Sequence, residues 1–206
     1  MKPVVVVLAA GASERLGTCK ALVDLGGRSS LERLLNAAAA GGADAIHVVV
    51  GLHGSEIATE VQRLRGALRL EVIAHAGWAE GRTGSLAAAA RQLPGQALLV
   101  APIDVPLVPS AVFEQLFRSW EQAGDPARGW LAPFFGTGRR FGHPLVLGRE
   151  LAALLGALPA GQPLKALRAL ADPLWGVEVR DPAILDDLDT PADLERLREV
   201  VRRAQE

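Results

Sequence analysis

The sequence has little that could staple or anchor it. Cys19 is the single cysteine among 206 residues. One thiol excludes an internal disulfide and a cysteine-based zinc site, and it agrees with a reducing cytoplasm, the expected location. No apolar run approaches the ~18 residues needed to span a bilayer. The opening MKPVVVVLAAGASERLG has too short an apolar core for a signal peptide and reads as a buried strand entering a glycine turn. Charge of either sign is not in surplus: 22 basic side chains face 23 acidic ones. That balance argues against a nucleic-acid-binding face and against an acidic disordered chain. Tyrosine is absent and lysine is scarce, Lys2, Lys20 and Lys165 standing against 19 arginines. The skew fits a GC-rich coding bias, and it makes each retained lysine worth placing.

What is present is apolar: half of the residues are hydrophobic. That suffices for a core, and with no repeat or linker the expectation is a single domain over 1–206. Val4 to Leu8 is a β-branched run, the pattern of a strand buried on both faces. Ser29 to Ala40 reads as a helix that Ser30 can cap, with Leu31, Leu34 and Leu35 on one side. Further strands are expected at Ala45–Val50, Leu70–Ala74, Gln96–Ala101, Gly129–Phe135, Leu145–Leu147 and Leu174–Val179. Helices are expected at Ser55–Leu64, Ser85–Leu93, from Pro109 as first helical residue, at Glu150–Leu155, Pro163–Leu170 and Pro191–Arg203. Alternating strands and helices imply a mostly parallel sheet covered on both faces, an α/β fold. Ligands of such folds bind at the carboxyl ends of the strands, here just after Leu8, Ala74 and Ala101.

The segment Leu8-Ala-Ala-Gly-Ala-Ser-Glu-Arg-Leu-Gly-Thr-Cys-Lys20 follows the first strand directly. Small residues let backbone N–H groups close on an anion, and Arg15 and Lys20 add the positive charge a triphosphate needs. The glycine spacing is neither that of a Walker A loop nor the dinucleotide fingerprint. Two acidic stretches complement it. Asp104 ends the fourth strand between Pro102 and Pro106, well placed for magnesium, which takes one or two carboxylates plus phosphate oxygens and water. Asp186, Asp187 and Asp189 precede Thr190-Pro191-Ala192-Asp193, where Thr190 and Pro191 read as N-cap and first residue of the last helix. Capping accounts for Thr190 and Asp193 but not for Asp187 and Asp189, which along an extended chain would point oppositely.

The first loop resembles the LAAGxSxRxGxxK signature of nucleotidyltransferases related to the molybdenum cofactor cytidylyl- and guanylyltransferases. The resemblance implies a Rossmann-like three-layer α/β/α fold and transfer of a nucleoside monophosphate to a phosphorylated acceptor, with pyrophosphate released. It implies Arg15, Lys20 and Asp104 as catalytic residues. It implies that Leu8, Ala9, Ala10, Gly11, Ala12, Ser13, Arg15, Lys20, Gly81, Ser85, Pro102 and Asp104 bind the nucleotide, and that Asp104 with Asp187 or Asp189 holds Mg2+. Trp78, Gly81 and Ser85 match the W-x-x-G-x-x-x-S segment of the cytidylyl branch, which favours CTP over GTP; an N-cap hydroxyl at Ser85 is the alternative. Asp104-Val-Pro-Leu107 resembles the D-x-P-L motif of the metal-binding Asp, and Asp187 to Leu194 the D-I-D-T-P-E-D-L ending, where an acidic residue completes the metal site; Asp187 is the first choice for it and Asp189 the next. Gly138 to Pro144 resembles the G-H-P segment beside the acceptor, which points to Arg140, Gly142 and His143; Arg139 can share in binding an acceptor phosphate. Gly161-Gln-Pro-Leu-Lys165 stands where that branch shows G-D-x-G-A-R, and Lys165 is the candidate anion contact there. The implied partners are an NTP, molybdopterin as acceptor, and transient contact with a molybdoenzyme or its chaperone, without nucleic acid or membrane. A guanylyltransferase, a sugar- or alcohol-phosphate nucleotidyltransferase and a non-catalytic nucleotide-binding module are the alternatives.

Overall fold

The computed structural model describes residues 1–66, 69–158 and 162–205. Strand β1 (Val4–Ala9) is the centre from which the chain builds. Its alternating side chains enter two different cores. Val5, Val7 and Ala9 pack with Leu31, Ile57 and Phe113, and Val6, Leu8 and Ala10 pack with Leu86, Ala89 and Leu151. A strand buried on both faces needs helices above and below it, which is why the unbroken valine run carries the three-layer architecture. On the first face lie α1 (Ser30–Ala40), α2 (Gly54–Leu64) and α4 (Ser110–Gln122); on the second lie α3 (Arg82–Gln92) and α5 (Arg149–Leu154).

Strands β2 (Ile46–Val50), β3 (Leu70–Ala74) and β4 (Leu98–Pro102) are parallel to β1. The chain runs outward from β1 through β2 to β3 and then returns to place β4 on the other side of β1. Leu8 therefore pairs with Val49 on one side and Pro102 on the other. This reversal of strand order opens a crevice at the carboxyl ends of β1 and β4. Beyond β4 the sheet is mixed. β7 (Leu145–Leu147) lies antiparallel to both β4 and β5 (Trp130–Phe135), and β8 (Leu174–Glu178) pairs with β5 in parallel. The short β6 (Arg140–Phe141), which periodicity did not signal, pairs with β5 ahead of β7. Between them the N–H of Gly142 donates to Pro133 O (3.0 Å) and that of His143 to Ile184 O (3.0 Å), so the strand bends without losing partners.

Three local expectations shift by a turn or less. Ser29, not Ser30, caps α1, its Oγ accepting from Glu32 N at 3.0 Å; Ser30 is fully buried and its hydroxyl donates to Lys20 O. Pro109 is the N-cap of α4 rather than its first helical residue. Helix α3 begins at Arg82, one turn earlier than the alanine run suggests, because Gly81, at φ 105, makes the entry and no side-chain cap is used. Ser85 is therefore a buried residue inside the helix, not its cap. The region 164–170 is helical as expected but of the tighter 3-10 kind. The last helix, α6 (Pro191–Arg203), starts where read, with Thr190 and Asp193 closing a reciprocal capping box. Leu197 and Val201 of α6 pack with Leu16, Val23, Leu25 and Leu188 in a third core that fastens the first loop to the acidic segment before α6. No helix among the described residues is long and apolar enough to cross a membrane.

Candidate functional site

A cleft of about 220 Å³ opens at the carboxyl ends of β1 and β4. Its walls include Leu8 and Ala9 from the end of β1, Ala10, Gly11, Ser13, Arg15 and Lys20 from the first loop, Trp78, Gly81 and Ser85 from the region after β3, Pro102 from the end of β4, Asp104 from the turn that follows it, and Asp189. Ala12 lies in the open extension of this cleft beside Trp78 and Ala79. Nearly all of the residues assigned to nucleotide by the motifs thus meet in one place, contributed by segments that are distant in sequence.

The first loop is held by its own backbone. Ser13 adopts φ 56 and accepts at its carbonyl from the N–H groups of Leu16 and Gly17, both at 3.0 Å. Ser13 Oγ accepts from Lys20 N at 3.2 Å, and the buried Ser30 hydroxyl fixes Lys20 O. Both ends of the Lys20 peptide unit are therefore tied down, and the side chain is directed inward, only 10% exposed. Its Nζ lies 3.0 Å from Asp104 Oδ1 and 2.5 Å from Asp189 Oδ1. Asp104 Oδ2 pairs with Arg82, and Asp189 Oδ2 lies 2.8 Å from Arg15. All four carboxylate oxygens of these two aspartates face a cation.

Each aspartate is set by its neighbours. Leu188 N donates to Asp104 O at 2.7 Å, joining the two acidic segments directly. Asp193 Oδ2 accepts from Asp189 N (3.2 Å) and Thr190 N (2.8 Å), so the helix cap also fixes the start of the Asp189 backbone. The hydrogen bond from Lys20 holds the Asp189 carboxyl below the ordinary carboxylate range. Asp187, the first choice from sequence, is placed differently: its side chain does not line the cleft. Its carboxyl is pushed above the usual range by partial burial and by the nearby charges of Asp189 and Asp104. The segment is not a strand, and Asp189 rather than Asp187 converges with Asp104.

A magnesium-type ion needs one or two carboxylates and completes its shell with phosphate oxygens and water. Asp104 and Asp189, held together through one ammonium group, supply that donor chemistry. Among the described residues no three His, Cys, Asp or Glu side chains enclose a metal by themselves.

A second cleft, about 460 Å³, lies on the sheet formed by β5, β6, β7 and β8. Trp130, Phe141, Trp175, Arg139, Arg168, Gly142 and His143 are among its walls. Gly142 and His143 are thus placed in it. Exposed Arg140 and Lys165 are in the wall of neither cleft, and Gly161 lies outside the described residues. Arg139 takes the place expected of Arg140, its guanidinium 4.5 Å from the centre of the Phe134 ring. Burial pushes the His143 imidazole down to about 4, the charge of Arg82 adding to this and that of Asp104 opposing it.

Sequence reasoning missed Arg82, Arg168, Trp130 and Trp175, and it ranked Arg140 above Arg139. Arg82 had a local signal, since it follows Gly81 in the loop already singled out. The others come from strands, a turn and the 3-10 helix at 164–170, which only the fold brings together.

The MobA-like NTP transferase domain model matches residues 5–175. Among solved structures, a nucleotidyl transferase from Methanothermobacter is similar at 24% identity, with 98% of this chain and 99% of that one covered and a TM-score of 0.79. The Rv0371c protein of Mycobacterium tuberculosis H37Rv in complex with manganese is similar at 23% identity, with coverage of 97% and 99% and a TM-score of 0.67. Molybdopterin-guanine dinucleotide biosynthesis protein A from Archaeoglobus fulgidus follows at 22% identity, coverage of 97% and 98% and a TM-score of 0.69. No significant match is found among curated proteins.

Proposed function

The chain belongs to the MobA-like NTP transferase family, and from that premise we propose that it transfers CMP from CTP to a small phosphorylated acceptor, molybdopterin first among the candidates, and releases pyrophosphate. The observation that carries this reading is the convergence of the first loop, Lys20, Asp104 and Asp189 in one cleft at the strand ends.

An acceptor phosphate is already an anion, so its attack on the α-phosphorus needs no general base. The protein's tasks are alignment and charge neutralisation. Lys20, rigidly held at the cleft floor, stabilises the negative charge that builds on the phosphate undergoing substitution. Arg15, 71% exposed at the rim, meets the departing pyrophosphate. Asp104 and Asp189 are the residues that would hold a divalent cation, Mg2+ in this proposal, whose role is to neutralise and orient the phosphates. Trp78 and the buried Ser85 flank the place for the base, in keeping with a pyrimidine nucleotide. The aromatic second cleft, with Arg139, Arg168 and His143 in its wall, seats the acceptor.

The test is pyrophosphate release from each NTP in turn, with molybdopterin, sugar phosphates and alcohol phosphates as acceptors. CTP with molybdopterin is expected to turn over best. Turnover with GTP alone, or with a sugar phosphate and not molybdopterin, would move the chain to another branch of the same chemistry. Nucleotide binding without any transfer would make it a sensing module.

A further inference from the structure

Arg82 presents an arrangement that the transfer chemistry just proposed does not account for. It opens α3 directly after Gly81, its side chain is 62% exposed, and among the described residues its charged partner is Asp104. Asp104 is by contrast only 16% exposed and already carries Lys20 on Oδ1. Arg82 occupies the remaining oxygen, the one left for a divalent cation. Arg15 does the same at Asp189 Oδ2. With both guanidinium groups in place, every oxygen of Asp104 and Asp189 has a cationic partner that an incoming metal ion must compete with.

We propose that Arg82 is an exchangeable placeholder that couples metal entry to nucleotide entry. This rests on the reading of the cleft as a nucleotide site. An exposed guanidinium is lightly held by its carboxylate and binds a phosphate with equal or better geometry. A triphosphate in the cleft draws Arg82 and Arg15 off the aspartates, and the two Oδ2 atoms become available to the ion. Lys20 is buried and tied at both ends of its peptide unit, and it stays. The exchange conserves local charge: two guanidinium groups leave the carboxylates as one divalent cation arrives, and the phosphates take up the guanidinium charge. The protein without nucleotide is thereby kept from sequestering metal ions, and nucleotide and metal bind synergistically.

The experiment is titration of Mn2+ alone into nucleotide-free protein, followed by electron paramagnetic resonance, with CTP affinity measured separately in metal-free buffer. Wild type is expected to bind Mn2+ weakly, and Arg82→Ala to bind it more tightly by up to about fivefold, the scale of one exposed ion pair. The same substitution is expected to weaken CTP binding in metal-free buffer. The gain in Mn2+ affinity must vanish in Arg82→Ala/Asp104→Asn. Unchanged or weaker Mn2+ binding by Arg82→Ala overturns the proposal, as does a gain that survives Asp104→Asn. The Mn2+ readout involves no nucleotide, so a failed assignment of CTP or acceptor leaves it separately decidable.

Discussion

Lys20 bridges Asp104 and Asp189, residues 84 and 169 positions away in the chain, with its Nζ 3.0 Å from the first and 2.5 Å from the second. One ammonium group gathers two carboxylates that would otherwise repel each other, and it does so at the floor of the cleft where the first strand ends. The bridge is a structural device, and the catalytic role proposed for Lys20 separates from it experimentally.

Replacing Lys20 by Ala is expected to lower kcat for pyrophosphate release by about 10²–10³-fold, the scale of removing one preorganised charge-stabilising donor. Lys20→Arg is expected to be strongly impaired as well, because a broad planar guanidinium cannot replace a compact ammonium in a space only 10% exposed. Steady-state kinetics, with circular dichroism to verify folding, check this. An Arg variant with wild-type kcat would show that position-specific geometry does not matter.

The acidic segment gives a ranking. Asp104→Asn and Asp189→Asn are expected to lose most activity and to need more Mg2+ for half-maximal rate, whereas Asp187→Asn is expected to change either quantity by less than about tenfold, its carboxylate lying outside the cleft wall. Rate measured against Mg2+ concentration for the three variants decides it; a larger defect at Asp187 would reverse the order.

Gly51 stands against the first loop and Trp78. A Cβ at that position would collide with Ala10 O and lie 2.6 Å from Trp78 Cβ. Gly51→Ala is expected to raise the KM for nucleotide more than it lowers kcat, since it displaces the cleft wall and leaves the Lys20 bridge intact. Nucleotide affinity by calorimetry provides the reading, and an unchanged KM would count against the base-side assignment of Trp78.

His143 gives a pH dependence of stability. Its folded value lies near 4 against 6.5 for the free group, chiefly through burial. Between those values the unfolded chain binds more protons than the folded one, so stability rises with pH across this window. The contribution is fully present above about pH 6.5 and declines as pH falls toward 4. Urea unfolding at pH 4.5 and 7.5 is expected to show a smaller loss at low pH for His143→Gln than for wild type. Equal losses would mean that the imidazole does not carry the dependence.

The sequence by itself determined the layers and the chemistry. A run of valines can be buried on both sides only if helices lie on both sides, and the alternation that follows leaves a mostly parallel sheet as the solution. The small-residue loop and Asp104 were legible because each follows a strand directly, and strand ends are where such a sheet opens. The Thr190-Pro191-Asp193 cap was legible because capping is decided within one turn. Tertiary structure alone decided which aspartate joins Lys20. Asp187 and Asp189 have the same chemistry and nearly the same position, but packing of Leu188 and the Asp193 cap orient only the second toward the cleft. It also decided that Arg82 rests on Asp104 and that Arg139 rather than Arg140 lines the second cleft. These choices depend on distances between segments remote in the chain. No local propensity encodes them, because they are set by how the sheet, the loop and the last helix pack together.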